Sequence, residues 1–505
     1  MSQAIASVQA AEEAVRQQPG NPVALMELGG ALHDHGRHDE AGAVRRQVVA
    51  MLSAAMASDV SPELGFLIDG LLYRHFVKKI ETERHVRDCF QSWLEPMAAL
   101  GRRLRDPHLP QPLWTPQPER PWRAAFLLQT PALLGHTDAL FELLRHRPRG
   151  MPWHDTPMVF VLSGQSAELT RRCAELGVQV CYLESENGRP LNGQYERLSS
   201  MRRRIAAEGI SHFVWLSAPG QAIMTFTMRV APVQIFWTLK FHPFRLPEID
   251  EYISQGNWAE TERRMHGELW KTIRLSIGNI LADADPARVA AERSRFACHD
   301  ILFGVLSREE KLNSEAYLAM VTAILQRHPQ AGFVWAGRSE LPAVTAYFAR
   351  HGVADRCHFI GWVDTSLYVR VIDIFLETFP FGCGITAMQA LAAGTAFVSL
   401  AMPDTQYGLQ FLRMIEAGGA LAEQTRALMR PADGGAPLAF VDSEAEYLAI
   451  AGQLAADAGF RQTVGAAGRR YYTEYMSNGS AMAERFFDIL ARARQPGMAT
   501  GGGNG

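Results

Sequence analysis

Residues Phe375 to Leu400, FLETFPFGCGITAMQALAAGTAFVSL, place the tightest constraint on the fold of this chain. An apolar run ends at Glu377, and a tight passage follows, Phe379-Pro380-Phe381-Gly382-Cys383-Gly384. A helical pattern from Ile385 to Ala393 is stopped by Gly394, and a second apolar run covers Ala396 to Leu400. The order is strand, glycine loop, helix, strand. A loop that feeds a helix leaves the first N–H groups of that helix unpaired, and the helix dipole makes the place mildly positive. Glycines let a ligand approach the backbone closely, and Thr386 adds a hydroxyl in the first turn. Such a terminus is a natural seat for a phosphate or diphosphate. On spacing alone the loop is equally an ordinary strand–helix connection, because it is neither GxGxxG nor a P-loop.

The same alternation runs through most of the chain. Strands are expected at 123–129, 158–162, 178–183, 212–216 and 233–237, with helices at 138–146, 166–176 and 194–208. A second set begins near Asp300, with strands at 301–306, 332–336 and 357–360 and helices at 314–327, 341–351 and 364–372. Parallel α/β is the economical fold for this pattern. Two such halves facing a cleft make a two-Rossmann architecture. The predicted domains are 122–298 and 299–495, the latter closing with helical residues 444–494, and a tail over 496–505 that cannot pack. Before them, residues 107–121 hold six prolines and read as a linker.

Residues 1–106 read as an all-helical domain. Ser7, Ala11, Ala14 and Pro19, then Leu25, Leu28, Gly29, Leu32, Ala41 and Val48, fit a tetratricopeptide-like period of about 34 residues. The segment is either a polypeptide-binding surface or a structural cap or dimer contact, which leaves homo-oligomerisation through it open.

At 505 residues, 47% hydrophobic and 20% charged, the chain has material for sizeable cores. A net charge of −3 gives no general pull onto nucleic acid or anionic membrane. The start, MSQAIASVQAAEEAV, lacks the features of a secretory signal, and no apolar run approaches a membrane span of about 20 residues. Six scattered cysteines without a CxxC read as free thiols in a reducing cytoplasm.

Four positions outside the glycine loop carry candidate chemistry. Lys311 lies one loop beyond a strand end and either neutralises a diphosphate or is a solvated loop lysine. His242, held extended by Pro243, is either a general base or hydrogen-bond donor, or a core histidine. His136, in the strand-end loop 130–138, is either a site wall or a surface histidine. Asp283-Ala-Asp285 is a DxD, but Pro286 and a helical run follow, so a helix start is the better reading and no metal site is expected.

Residues 121–490 resemble the GT-B glycosyltransferases of the O-GlcNAc transferase group, closest to the bacterial adhesin-modifying N-glycosyltransferases of the HMW1C-like type. The carrying pieces are Phe303-Gly-Val-Leu-Ser-Arg-Glu-Glu-Lys311-Leu, Phe359-Ile-Gly-Trp362, Thr378-Phe-Pro-Phe-Gly382, Val233-Gln-Ile-Phe-Trp-Thr-Leu-Lys-Phe-His242 and Pro247-Glu-Ile-Asp-Glu-Tyr252. The resemblance implies inverting transfer of one hexose from a UDP-sugar to a polypeptide side chain, without metal or other cofactor. It implies an acceptor asparagine in preference to serine or threonine, on an adhesin or other exported protein. It implies Lys311 on the UDP phosphates, Phe381, Gly382, Cys383, Gly384, Ile385 and Thr386 around the diphosphate, and Gly337 and Trp362 near uracil and ribose. His242, Lys240 and His136 match acceptor-side or sugar-side positions. Gln389 stands where relatives place an acidic residue on the ribose, and Cys383-Gly384-Ile385 where theirs are more polar. Other readings are a heptosyl or other-donor O-glycosyltransferase of adhesins and a non-catalytic UDP-binding scaffold.

Overall fold

The computed structural model of the chain describes residues 7–56, 60–77, 94–105, 123–148, 157–216, 220–239, 245–256, 261–265, 268–380, 382–400, 419, 423 and 438–493. It divides into two compact units. One holds Val49–Phe76, Val86–Ile277 and Asn478–Gly505; the other holds Met1–Val48, Val77–His85 and Gly278–Ser477. The helical front end is therefore shared out. Helices α1 (Val8–Gln17), α2 (Pro22–Asp34) and α3 (His38–Met56) are followed by α4 (Pro62–Val77) and α5 (94–103). Ser7 caps α1 and Asn21 caps α2, each accepting a first-turn N–H, and Pro22 takes the first helical position where its missing donor is no loss.

In the first unit, α5 meets α9 (Ala222–Thr227) so closely that a Cβ on Gly101 would lie 1.8 Å from the Thr227 hydroxyl. The other elements are β1 (Ala124–Leu128), α6 (Gly135–Arg145), β2 (Met158–Val161), α7 (Ala167–Glu175), β3 (Gln179–Tyr182), the β4–β5 hairpin (Ser185–Glu186, Arg189–Pro190), α8 (Gln194–Ala207), β6 (His212–Trp215), β7 (Val233–Trp237), β8 (Glu251–Gln255), β9 (Glu262–Met265) and β10 (Glu268–Ile273). Among the described residues eight strands form one sheet in the order β3-β2-β1-β6-β7-β8-β10-β9, parallel except for β9 against β10. Every residue of β1, β2, β6 and β7 is buried, as expected when helices cover both faces of a parallel sheet. Strands β8 to β10 are an addition to what the sequence predicted. Their alternating charges hide them, and one such pair, Glu262 and Lys271, faces itself across the β9–β10 ladder.

The second unit runs through α10 (Pro286–Ser294), β11 (Ile301–Leu306), α11 (Glu315–Arg327), β12 (Ala331–Ala336), α12 (Pro342–Arg350), β13 (Cys357–Phe359), α13 (Thr365–Val371), β14 (Ile374–Leu376), α14 (Ile385–Ala393), β15 (Ala396–Leu400), β16 (Ala439–Val441), α15 (Glu444–Ala456) and α16 (Ala458–Tyr471). The chain then enters α17 (Gly479–Arg492), which belongs to the first unit. Here the sheet order is β13-β12-β11-β14-β15-β16, all parallel. Asp285 accepts the Ala287 N–H at 2.9 Å and caps α10, which is the helix start read from the sequence. From the front end, α2 and its C-terminal turn touch this unit: the Asn313 amide donates to the His33 carbonyl at 3.1 Å. Among the described residues no helix is long and apolar enough to cross a membrane, and the described cysteines are free thiols.

Helix α16 packs on the end of α14 at backbone distance. Gly394 ends α14 with φ +76°, and a Cβ on Gly465 would lie 2.1 Å from its carbonyl oxygen. A main-chain oxygen cannot rotate away as a side chain can. Gly465→Ala is expected to lower stability by about 2 kcal/mol or more, since overpacking a rigid contact costs about 1–3. Urea unfolding measures this, and an unchanged midpoint would contradict the close approach.

Candidate functional site

The second sheet reverses its strand order between β11 and β14. In open parallel sheets, ligands sit beyond the carboxyl ends of the strands at such a reversal. Two segments leave the sheet there. After β11 the chain makes a single 3-10 turn, Glu309–Lys311. After β14 it passes through Glu377, Thr378, a cis Phe379–Pro380 bond, Gly382 and Cys383 into α14.

The structure brings Lys311 to the glycine loop. Its side chain is buried, and Nζ donates to the carbonyl of Gly382. The other end of that same peptide unit, the Cys383 N–H, donates to Glu377 Oε1 at 3.0 Å. One peptide plane is thus held at both ends, by an ammonium and by a carboxyl group. Glu377 is fully buried, and its Oε2 accepts from the Ser399 hydroxyl on β15. Burial pushes the Glu377 carboxyl up to about 7, although Ser399, the Cys383 N–H and Lys311 all favour its charged form. Burial likewise pushes the Cys383 thiol up to about 11, so it is no thiolate at neutral pH.

Gly384 then turns into α14 with φ +65° and ψ −118°, a conformation open only to glycine in practice. The amides of Ile385 and Thr386 follow, in the first turn where no intrahelical carbonyl reaches them. The Thr386 hydroxyl donates to the Leu306 carbonyl at the end of β11, tying the helix start to the strand that carries Lys311. Its proton is therefore already engaged, whereas the sequence left it free.

Gly337 and Trp362 lie together beyond β12 and β13. The Gly337 N–H donates to the Gly361 carbonyl at 3.1 Å, and the next N–H, of Arg338, to the Glu309 carboxylate at 3.0 Å. Trp362 is 67% exposed, while Trp215, Trp237, Trp270 and Trp335 are buried. Its ring meets the Arg338 guanidinium, 5.7 Å from the centroid. Gln389 is buried in α14; its amide N–H donates to the Ile280 carbonyl at 3.2 Å, and its Oε1 has no hydrogen-bond partner among the described residues.

In the first unit His136 does not sit in a loop, as expected from the sequence, but in the first turn of α6, which starts at Gly135. The Thr137 hydroxyl donates to the Ala132 carbonyl at 2.9 Å and fixes that early start. His136 is half-buried, and burial pushes its imidazole down to about 4, so it is neutral at pH 7. Lys240, His242 and Phe381 lie outside the described residues. Among the described residues no three or more His, Cys, Asp or Glu converge as a metal-ligand set. Sequence reasoning missed Glu377, Ser399 and Glu309. A single acid inside FLETFPF was the one signal for the first.

Residues 301–430 match the family described as glycosyl transferases group 1. None of the curated proteins matches the chain. Among solved structures, a mutant of the Thermobaculum terrenum O-GlcNAc transferase is similar over 96% of this chain and 93% of its own, at 18% identity and TM-score 0.55. Anabaena HepE in complex with UDP and glucose is similar over 73% and 99%, at 14% identity and TM-score 0.50. The same protein in complex with UDP-glucose gives 73% and 99%, at 13% and 0.50. These likenesses show the fold, GT-B.

Proposed function

We propose that the chain is a protein glycosyltransferase: it moves one hexose from a UDP-sugar to a polypeptide side chain, with inversion and without metal. Asparagine is the favoured acceptor over serine and threonine, on an adhesin or other exported protein, and the reaction takes place in the cytoplasm. The observation that carries this reading is the Lys311 ammonium against the Gly382 carbonyl at the start of α14, inside the segment that matches glycosyl transferases group 1. That HepE holds UDP and glucose, or UDP-glucose, supports a UDP-hexose donor.

In the reaction the sugar carbon exchanges its bond to the UDP oxygen for one to the acceptor nitrogen, from the opposite face. Negative charge grows on the departing diphosphate. Lys311 and the amides of Ile385 and Thr386 are fixed before that charge appears, and each such donor is worth about 3–4 kcal/mol at the transition state. The exposed face of Trp362 suits uracil, and Gln389 is assigned to ribose by its place in the family motif. The neutral His136 ring can accept a hydrogen bond on the sugar or acceptor side. His242 is assigned the acceptor proton, and Lys240 an acceptor-side or sugar-side role. The helical front end is assigned to acceptor binding or to a dimer contact.

The Gln389 amide is already committed to the Ile280 carbonyl, which favours a second reading with an altered nucleotide site. In that reading the donor is a heptose nucleotide, or the chain binds UDP without turnover. Co-expression with candidate exported proteins, followed by peptide mass spectrometry, tests all three. A single added hexose on asparagine, undiminished in chelator, is the expected result. An added heptose, or UDP binding with no modified peptide, would replace the first reading with the second.

A further inference from the structure

We infer that Glu377 is the positioning residue of this anion site: through the Cys383 N–H it fixes the Gly382–Cys383 peptide, and with it the carbonyl under the Lys311 ammonium and the entry into α14. The inference rests on the reading of the site as a diphosphate seat. It concerns a group that touches no substrate and acts through Lys311 and the loop.

The carboxyl group reaches two elements at once, the loop at Cys383 and the neighbouring strand at Ser399. The backbone of Glu377 is held as well: its N–H donates to the Val398 carbonyl at 2.9 Å, and its carbonyl accepts from the Tyr447 hydroxyl at 3.2 Å. The residue cannot drift, so the peptide it grips cannot flip. A flipped peptide would turn the Gly382 carbonyl away from Lys311 and present an N–H to the cation instead.

The carboxyl group also sets how much positive charge the site offers. The titratable groups around it are Lys311 beyond β11, Tyr317 on α11, Tyr447 on α15 and Cys383 on the loop. The two phenols and the thiol are pushed up by burial and stay neutral. Among the described residues, the charge of the cluster near pH 7 therefore comes from Lys311 and whatever Glu377 carries. When protonated, Glu377 can donate to Ser399 and still accept from Cys383, so the geometry survives and its carboxyl group no longer offsets the ammonium. When ionised, it repels an arriving diphosphate. Diphosphate binding then draws a proton onto Glu377.

The test uses the full chain with UDP as the probe, titrated calorimetrically from pH 6 to 8.5, in wild type, Glu377→Gln and Glu377→Leu. Glutamine keeps both hydrogen bonds, because the Ser399 hydroxyl can accept as well as donate. Its affinity should stay within about threefold of wild type at pH 6.5, and the ratio of wild-type to variant Kd should rise as pH passes 7. Leucine strands the buried Cys383 N–H, and affinity should fall about tenfold or more at every pH. Thermal melts without ligand give a further readout. A carboxyl raised above its ordinary value contributes stability at low pH that is lost as pH rises through about 7. The glutamine variant should thus gain on wild type between pH 5 and pH 8. A flat Kd ratio, a leucine variant that binds UDP like wild type, or a melt difference that does not move with pH would overturn the inference while leaving the site intact. Wild-type protein that does not bind UDP would remove both.

Discussion

Replacing Lys311 by alanine is expected to reduce kcat/KM for UDP-hexose turnover about a hundredfold to a thousandfold, with the fold retained. The size follows from position. The ammonium is buried, points at the loop carbonyl beside the helix start, and needs no reorganisation when charge appears on the leaving group. Arginine is not a neutral replacement. Its planar fork is wider than an ammonium and cannot occupy the same point over one carbonyl. Lys311→Arg should recover only part of the loss, although it restores the charge. Single-turnover rates measured beside UDP affinity separate chemistry from binding. A variant with wild-type turnover would remove Lys311 from the reaction.

Gly384→Val should have the second largest effect. The backbone at Gly384 combines φ +65° with ψ −118°, and a β-branched residue is strained there by about 1–3 kcal/mol. Relief requires the turn to change, which re-aims the Ile385 and Thr386 amides and shifts the Gly382 carbonyl. Stability should fall by that amount and turnover by well over tenfold. Gly394→Val, also at positive φ but at the far end of the same helix, is the control. It should lower stability while affecting turnover much less. Equal losses of turnover in both variants would mean that the helix start has no special role.

Much of this site could be read from the chain itself, because strand, turn and helix signals are local. The helix Ile385–Ala393 and the strand Ala396–Leu400 lie where the apolar pattern and Gly394 put them. The loop holding Lys311 and the glycine loop could be placed at strand ends for the same reason. What could not be read depends on contacts distant in sequence. Glu377 finds Cys383 six residues on and Ser399 in the next strand, and the lone acid in FLETF marks the position without naming either partner. Nor does the sequence show which way the Gln389 amide turns, which is set by Ile280, more than a hundred positions upstream. Helix α6 begins three residues before its apolar pattern, because a Thr137 side chain caps backbone that periodicity does not register. The resemblance of the family motifs gave the fold; the hydrogen bonds that arm the site required coordinates.

The central claim is that an ammonium and the first amides of α14 together hold a nucleotide diphosphate. A crystal structure of the full chain with UDP tests it most directly. The account predicts diphosphate oxygens within hydrogen-bond reach of Lys311 Nζ and of the Ile385 or Thr386 N–H, with Glu377 still on Cys383. Diphosphate bound elsewhere, with the Lys311 ammonium still on the Gly382 carbonyl, would contradict it.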